Sequence, residues 1–242
     1  MMEKLSLDYQ KRFLDLEENF KIIQNNIEEA AVKSGRTPQD ITLLAATKTV
    51  PVEVINHGIG LGIRHIGENK VQELCEKYER YQLENCSLHF IGHLQTNKVK
   101  NIVGKVDMIQ SVDSVKLARE ISRLSLLQSI HTDILIEVNV GREPNKSGVL
   151  PEQLMDLLYE ICELPAVHVR GLMSIPPANA DMDKTMGYFF NISQYSVDIK
   201  QKKLDNVRMD YLSMGMSADY AQAILAGANL VRVGSALFGP RI

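Results

Sequence analysis

The chain has 242 residues, of which 45% are hydrophobic and 24% are charged, and its formal net charge is −3. These values are typical of a globular protein and give no electrostatic reason to expect a nucleic acid or an anionic membrane as partner. Its cysteines, Cys75, Cys86 and Cys162, are far apart, which favours free thiols in a reducing compartment. Because no signal peptide or membrane-spanning run is evident, we expect a cytoplasmic protein.

The first pattern along the chain is that of an amphipathic helix. Apolar residues recur at steps of three and four from Phe13 to Ala30, with charged residues between them. This spacing predicts a long helix within residues 1–35 that ends near Ser34 and Gly35. Such a helix packs on its own domain or on a partner, and we expect the former.

After this helix, strand patterns and helical patterns alternate to the end of the chain. The predicted strands are 41–48, 63–67, 88–92, 107–112, 132–140, 167–173, 207–213 and 230–234. The predicted helices are 52–61, 69–82, 96–103, 114–128, 151–163, 182–203 and 217–227. This alternation predicts an α/β protein built as a single (β/α)8 TIM barrel with an extra N-terminal helix, and an open doubly wound sheet is the alternative. No linker divides the sequence, so we expect one domain over residues 1–242.

A lysine stands at the end of the first predicted strand. The segment ITLLAATKTVP, residues 41–51, is apolar except for Lys48 and its neighbouring threonines. Burial lowers the pKa of a lysine and frees its amine, which can then form a Schiff base with an aldehyde. The alternative is a lysine whose head only reaches solvent at the strand end.

Small and hydroxyl-bearing residues follow the last two predicted strands. Ser213 ends the seventh strand and is followed by Met214 and Gly215, and Gly234 ends the eighth and is followed by Ser235. Backbone N–H groups at such positions favour an anion, and TIM barrels commonly hold a phosphate in the loops after these strands. A simple capped helix start is the alternative interpretation of the first segment.

Two more polar residues are expected at the same end of the barrel. Asn69 follows the second strand, where we include it among the ligand-binding residues. Arg232 lies on the eighth strand and shares its face with Gly234, so a guanidinium directed into the barrel would need an internal partner. A salt bridge at the bottom of the barrel is the alternative for Arg232.

A reactive lysine, a phosphate cradle and an internal cation together favour a ligand with both an aldehyde and a phosphate. Pyridoxal 5'-phosphate fits this description: Lys48 would form the Schiff base, and Arg232 would face the pyridine nitrogen. The phosphate would be held by Ser213, Gly215, Gly234 and Ser235. Because arginine stays protonated, the ring nitrogen would remain neutral and the cofactor would be a weaker electron sink.

Seven motifs in this order resemble those of the pyridoxal-phosphate homeostasis proteins. They are LLAATKTVP at 43–51, GENKVQE at 67–73, HFIGHLQTNK at 89–98, NKSG at 145–148, GLMSIPP at 171–177, LSMGMSADYAQAI at 212–224 and VRVGSALFG at 231–239. The resemblance implies a barrel similar to the N-terminal domain of alanine racemase, with Lys48 as the cofactor lysine and Arg232 near the ring nitrogen. It also implies a protein that binds and supplies or buffers the cofactor and influences amino-acid and keto-acid balance, without established turnover.

Two alternatives to a binding role remain open. The first is a weakly active amino-acid racemase that depends on the cofactor. Racemases of this type carry a second, β-rich domain, for which we find no segment in these residues, so we favour the binding role. The second is an aldolase that uses Lys48 without a cofactor.

No H-E-x-x-H motif or Cys/His cluster predicts a metal site. We expect a monomer whose partners are the cofactor and apo-enzymes that depend on it.

Overall fold

Eight parallel strands close into a barrel. The computed structural model describes residues 2–240, with the side chains of residues 9–240. Each strand pairs with the next one along the chain, and β8 pairs with β1 to close the sheet. The strands are β1 (Thr42–Ala46), β2 (His65–Glu68), β3 (Ser87–Phe90), β4 (Met108–Val112), β5 (Thr132–Val138), β6 (Val167–Ser174), β7 (Val207–Ser213) and β8 (Leu230–Val233). The predicted TIM barrel is therefore confirmed, and closure of the sheet excludes the doubly wound alternative.

Helices connect the strands on the outside of the barrel. They are α1 (Met2–Lys33), α2 (Val52–Leu61), α3 (Val71–Lys77), α4 (Val115–Leu127), α5 (Leu154–Ile161), α6 (Met182–Lys202), α7 (Tyr220–Leu225) and α8 (Ser235–Phe238). Shorter 3-10 helices occur at Pro38–Asp40, Tyr78–Arg80, Thr96–Asn101 and Pro151–Gln153. The predicted helix at 96–103 is thus a 3-10 helix, and α8 is an element that the hydrophobic pattern did not predict. Within residues 2–240, no helix is long and apolar enough to cross a membrane.

The apolar side chains form an outer core and a smaller inner one. The outer core lies between the sheet and its helices, and α1 contributes Leu16, Ile23 and Ile27 to it. Inside the barrel, one cluster is built around Leu44 and another around Leu135. The side chains that fill the barrel make it a packed core rather than a pore, so a ligand site has to lie at its mouth.

The long helix α1 packs against the elements that end the chain. Asn19 Nδ2 donates to the Leu237 carbonyl at 3.1 Å, and Asn26 Nδ2 donates to the Tyr220 hydroxyl at 2.9 Å. Just beyond α1, the Arg36 guanidinium donates to the Ala228 carbonyl at 2.7 Å. These bonds tie α1 and the residue Arg36 beyond it to α7, to α8 and to the segment before β8 on the outside of the barrel. The assignment of residues 1–242 to one domain stays a prediction.

Candidate functional site

A cleft opens at the carboxyl ends of β1 and β8. Its volume is about 290 Å³, close to the lower end of the range of roughly 300–1,000 Å³ that is usual for small-molecule sites. The residues lining it include Lys48, Thr49, Ser217, Arg232, Gly234 and Ser235. Four of the residues predicted from the sequence are therefore brought together, although the first and last of them are almost the whole chain apart.

The half-buried Lys48 lies in a turn two residues beyond β1, because the strand ends earlier than predicted. The Thr47 N–H still donates to the Gly67 carbonyl of β2 at 2.9 Å, and the Thr47 hydroxyl donates to Glu68 Oε1 at 2.8 Å. On the other side of the lysine, Thr49 has a φ of +63°, and its N–H donates to Glu73 Oε1 at 2.5 Å. The turn that carries Lys48 is therefore fixed on both sides by carboxylates.

The fully buried Glu68 carboxylate is the main anchor of this turn. Besides Thr47, its Oε1 atom accepts from Lys77 Nζ at 2.9 Å and from the Tyr81 hydroxyl at 2.7 Å. Lys77 Nζ also donates to the Thr47 carbonyl at 3.2 Å. Burial, followed by the charge of Glu68, raises the pKa of Tyr81 above its usual range, so this phenol remains a hydrogen-bond donor.

Arg232 projects into the barrel and is 4% exposed. Its Nη1 donates to Ser213 Oγ at 2.6 Å, and its Nη2 donates to the Ser174 carbonyl at 2.9 Å. Burial lowers the pKa of Arg232 to about 10, and the charges of Glu137 and Asp219 oppose this change. The guanidinium is still charged at neutral pH, because a pKa of about 10 remains far above 7.

Glu137 is a second buried charged residue inside the barrel. It lies two residues beyond Leu135 on β5, on the face that points to the barrel interior. Its Oε2 atom is buried and makes no hydrogen bond within residues 2–240. Burial, followed by the charge of Asp113, raises the pKa of Glu137 to about 7, and the charge of Arg232 opposes this change. This carboxyl therefore titrates near neutral pH.

Two backbone N–H groups near the start of α8 point to one oxygen atom. The N–H groups of Gly234 and Ala236 donate to Ser217 Oγ at 3.2 and 3.1 Å. A Cβ atom at Gly234 would lie 3.3 Å from the Ala46 carbonyl oxygen, so a side chain there would crowd the exit of β1. An anionic group that takes the place of the Ser217 oxygen would therefore receive both N–H donors.

The remaining predicted residues do not line this cleft. Ser213 is fully buried and engaged with Arg232, and Met214 is part of the outer core. Gly215 has a φ of +88°, and a Cβ atom there would lie 2.5 Å from the Cβ of Ala223. These three residues shape the wall behind the cleft.

Asn69 lies in a neighbouring cleft, with His93 and Lys98. Its Oδ1 atom is buried and has no hydrogen-bond partner among the described residues. The side chain of His93 is directed to the rim, where its Nδ1 lies 3.0 Å from Ser147 Oγ. The structure thus separates Asn69 from the group around Lys48.

Three polar residues that the sequence analysis did not select belong to the site or its support. Ser217 lies in the LSMGMSADYAQAI motif, and its hydroxyl could have identified it as a ligand-binding residue. Gln110 and Glu137 each lie on a buried strand among mostly apolar residues, and a polar residue in such a strand needs a partner. That signal identifies them as internal polar groups, but it does not identify what they contact.

Comparison with known proteins gives consistent matches. Residues 19–241 match the family model described as alanine racemase, N-terminal domain. A relative from Aquifex aeolicus (strain VF5), named pyridoxal phosphate homeostasis protein, is 43% identical over 224 residues, covering 93% of this chain and 97% of the relative. PipY of Synechococcus elongatus PCC7942, solved with PLP bound, is 32% identical with a TM-score of 0.77, covering 88% of this chain and 100% of PipY.

A more distant likeness concerns the fold alone. An alanine racemase from Clostridium difficile 630 superposes with a TM-score of 0.73 at 16% identity. The superposition covers 93% of this chain and 56% of the racemase. The barrel described above is therefore also found as part of a longer enzyme.

Proposed function

This chain belongs to the family of pyridoxal phosphate homeostasis proteins, and from that membership we propose that it binds pyridoxal 5'-phosphate in the cleft between Lys48 and Arg232. The resemblance seen in the seven sequence motifs is confirmed by the family match. The protein takes part in vitamin B6 homeostasis, as its relatives are named for doing. The observation that carries the proposal is the convergence of a lysine, a buried arginine and two backbone donors in one cleft.

The groups in this cleft match the three polar parts of the cofactor. When bound, pyridoxal 5'-phosphate supplies an aldehyde that condenses with a primary amine, and Lys48 is the amine we assign to it. The phosphate fits the N–H groups of Gly234 and Ala236 and the hydroxyls of Ser217 and Ser235. Arg232 is assigned to the pyridine nitrogen.

The chemistry of Arg232 favours binding over turnover. A guanidinium has only donors, so it leaves the ring nitrogen as an acceptor and keeps the ring neutral. A neutral ring withdraws fewer electrons than a protonated one, which restrains carbanion chemistry. We infer that the protein holds the cofactor for apo-enzymes that depend on it, acts as a monomer in the cytoplasm and thereby influences amino-acid and keto-acid balance.

The remaining residues selected from the sequence have indirect roles in this proposal. Ser213 supports Arg232, while Met214 and Gly215 shape the wall behind the cleft. Asn69 lines the neighbouring cleft that also contains His93, and not the cofactor cleft itself. We assign Asn69 to the rim through which a ligand enters. In this proposal Lys48 and Arg232 contact the cofactor directly, whereas Ser213, Met214 and Gly215 support the residues that do so.

The test compares Lys48→Ala with Lys33→Ala, because the Lys33 side chain is 66% exposed at the end of α1 and does not line the cleft. Purified protein is loaded with the cofactor, reduced with borohydride and examined by absorption and peptide mass spectrometry. We expect the wild-type chain and Lys33→Ala to carry a pyridoxyl mass on Lys48, and Lys48→Ala to carry none. A wild-type chain that takes up no cofactor would refute the proposal and favour the aldolase alternative. Amino-acid racemisation that disappears in Lys48→Ala would favour the enzyme alternative.

A further inference from the structure

A chain of side-chain hydrogen bonds crosses the interior of the barrel behind Arg232. Arg232 Nη1 donates to Ser213 Oγ at 2.6 Å, and the Ser213 hydroxyl donates to Gln110 Oε1 at 2.7 Å. Gln110 Nε2 in turn donates to His89 Nδ1 at 2.8 Å. All four side chains are buried. Because β5 and β6 lie between β4 and β7 in the sheet, the bond from Ser213 to Gln110 spans the interior rather than joining neighbouring strands.

The donors in this chain all point away from Arg232. A guanidinium can only donate, so the Ser213 oxygen accepts from it and the serine proton is directed to Gln110. The Nε2 atom of Gln110 can only donate and therefore requires an acceptor, which the neutral imidazole of His89 provides at Nδ1. Burial, followed by the neighbouring His65, lowers the pKa of His89 to about 3, so this ring is neutral over the physiological pH range. The His89 proton is therefore on Nε2, 3.5 Å from His65 Nδ1.

The position of the guanidinium depends on this arrangement. Of its five N–H groups, one is held by Ser213 and one by the Ser174 carbonyl. The Ser174 carbonyl is fixed by the backbone, whereas a serine hydroxyl rotates unless a second group holds its proton. Gln110 supplies that second group. The orientation of Arg232 toward the cleft consequently depends on a residue that does not line the cleft.

We propose that Gln110, held by neutral His89, is a positioning residue that fixes the Ser213 hydroxyl and through it directs Arg232 toward the bound cofactor. This inference rests on the proposed function, because it takes the group facing Arg232 to be the cofactor's ring nitrogen. A glutamine that only satisfies polar groups in the core would contribute to folding but would leave the state of the bound cofactor unchanged.

The test uses three variants of the full chain. Gln110→Met keeps the length of the side chain but removes the acceptor for Ser213, while Gln110→Glu keeps an acceptor oxygen in either protonation state. Gln128→Met is the control, because Gln128 lies outside the barrel, with its Nε2 3.4 Å from the Val103 carbonyl. Cofactor affinity and the absorption maximum of the loaded protein are measured by titration, and stability is measured by urea unfolding.

We expect Gln110→Met to weaken cofactor binding about 10- to 140-fold, the value of the hydrogen bond between Ser213 and the charged Arg232, and to shift the absorption maximum. Gln110→Glu should remain within about threefold of the wild type, and Gln128→Met should be unchanged. Should Gln110→Met fail to fold, Ser213→Ala removes the hydroxyl through which Gln110 acts on Arg232 and should show the same loss and shift. Unaltered affinity and absorption in the folded variant would overturn the proposal, as would an equal loss in Gln110→Met and Gln110→Glu.

A measurement without cofactor separates this inference from the proposed function. Nitrogen NMR of the His89 ring in cofactor-free protein should show an acceptor Nδ1 and a protonated Nε2. A protonated Nδ1 would refute the inferred hydrogen-bond direction while leaving cofactor binding intact. A wild-type chain that binds no cofactor would refute the proposed function, and the role assigned to Gln110 would fail with it.

Discussion

Replacement of Glu137 by glutamine should stabilise the protein in alkali but not in acid. In the folded state burial raises the pKa of this carboxyl to about 7, against an ordinary value of 4.5. Between these two values the folded chain therefore binds a proton that the unfolded chain has released. The stability contributed by the neutral carboxyl is fully present below pH 4.5 and is lost as the pH rises through about 7.

The size of the effect follows from that difference. At about 1.4 kcal/mol for each pKa unit, a change from 4.5 to about 7 corresponds to at most about 3.5 kcal/mol. Relaxation and water entry reduce the cost of a buried charge, so we expect a gain of about 1–3 kcal/mol for Glu137→Gln at alkaline pH. Glutamine cannot ionise, and its amide has nearly the shape of the protonated carboxyl.

The assay is urea unfolding of the cofactor-free protein at about pH 4 and about pH 8.5, which lie below and above both pKa values. Both proteins contain His89, so subtracting the wild-type stability removes the contribution of that histidine. The control is Glu152→Gln, because Glu152 is 56% exposed and paired with Arg142 at the surface. A stability difference that is the same at both pH values would refute the inferred pKa of Glu137.

Two further predictions concern a glycine of β6, Gly171, and the contact that Arg36, just beyond α1, makes with α7. Gly171→Ala should destabilise the protein by about 2–5 kcal/mol, because the new Cβ would overlap the Tyr211 carbonyl and the φ of +152° is strained for alanine. The control is Gly187→Ala, because a Cβ atom at this exposed position of α6 has open space around it. This control should stabilise the protein by about 0.5–1 kcal/mol in the same urea experiment. Arg36→Met should cost about 1–3 kcal/mol and speed hydrogen exchange in α7, because its guanidinium donates to carbonyls at the end of that helix. The surface variant Arg80→Met should cost less than about 1 kcal/mol, and equal effects of the two arginine variants would contradict this explanation.

The regular elements were accessible from the sequence because their signals are local. An apolar run produces a buried strand, and a step of three or four produces a helix face, whatever the distant residues are. The strand at 207–213 and the helix at 52–61 have the predicted bounds. The errors lie at the ends of elements. The first strand ends at Ala46 rather than at residue 48, because the chain turns at Lys48 and at Thr49, whose φ is +63°.

The site was only partly accessible, because its geometry depends on residues far apart in the chain. The motifs identified Lys48, Arg232, Gly234 and Ser235 as residues of one cleft, since the loops after the first and last strands of a barrel are neighbours. No pattern indicated that Ser213 would face Arg232. Their contact depends on where the closed sheet places the two strands relative to each other.

By itself, the amino-acid sequence determined the alternation of strands and helices, the closed barrel and the family, because periodicity and motif order are properties of the chain. Only the tertiary structure decided which polar groups meet inside the barrel. Gln110 and Ser213 are 103 residues apart and come within 2.7 Å because closure of the sheet brings β4 and β7 to face each other. The raised pKa of Glu137 likewise depends on burial, which exists only after the barrel has closed around it.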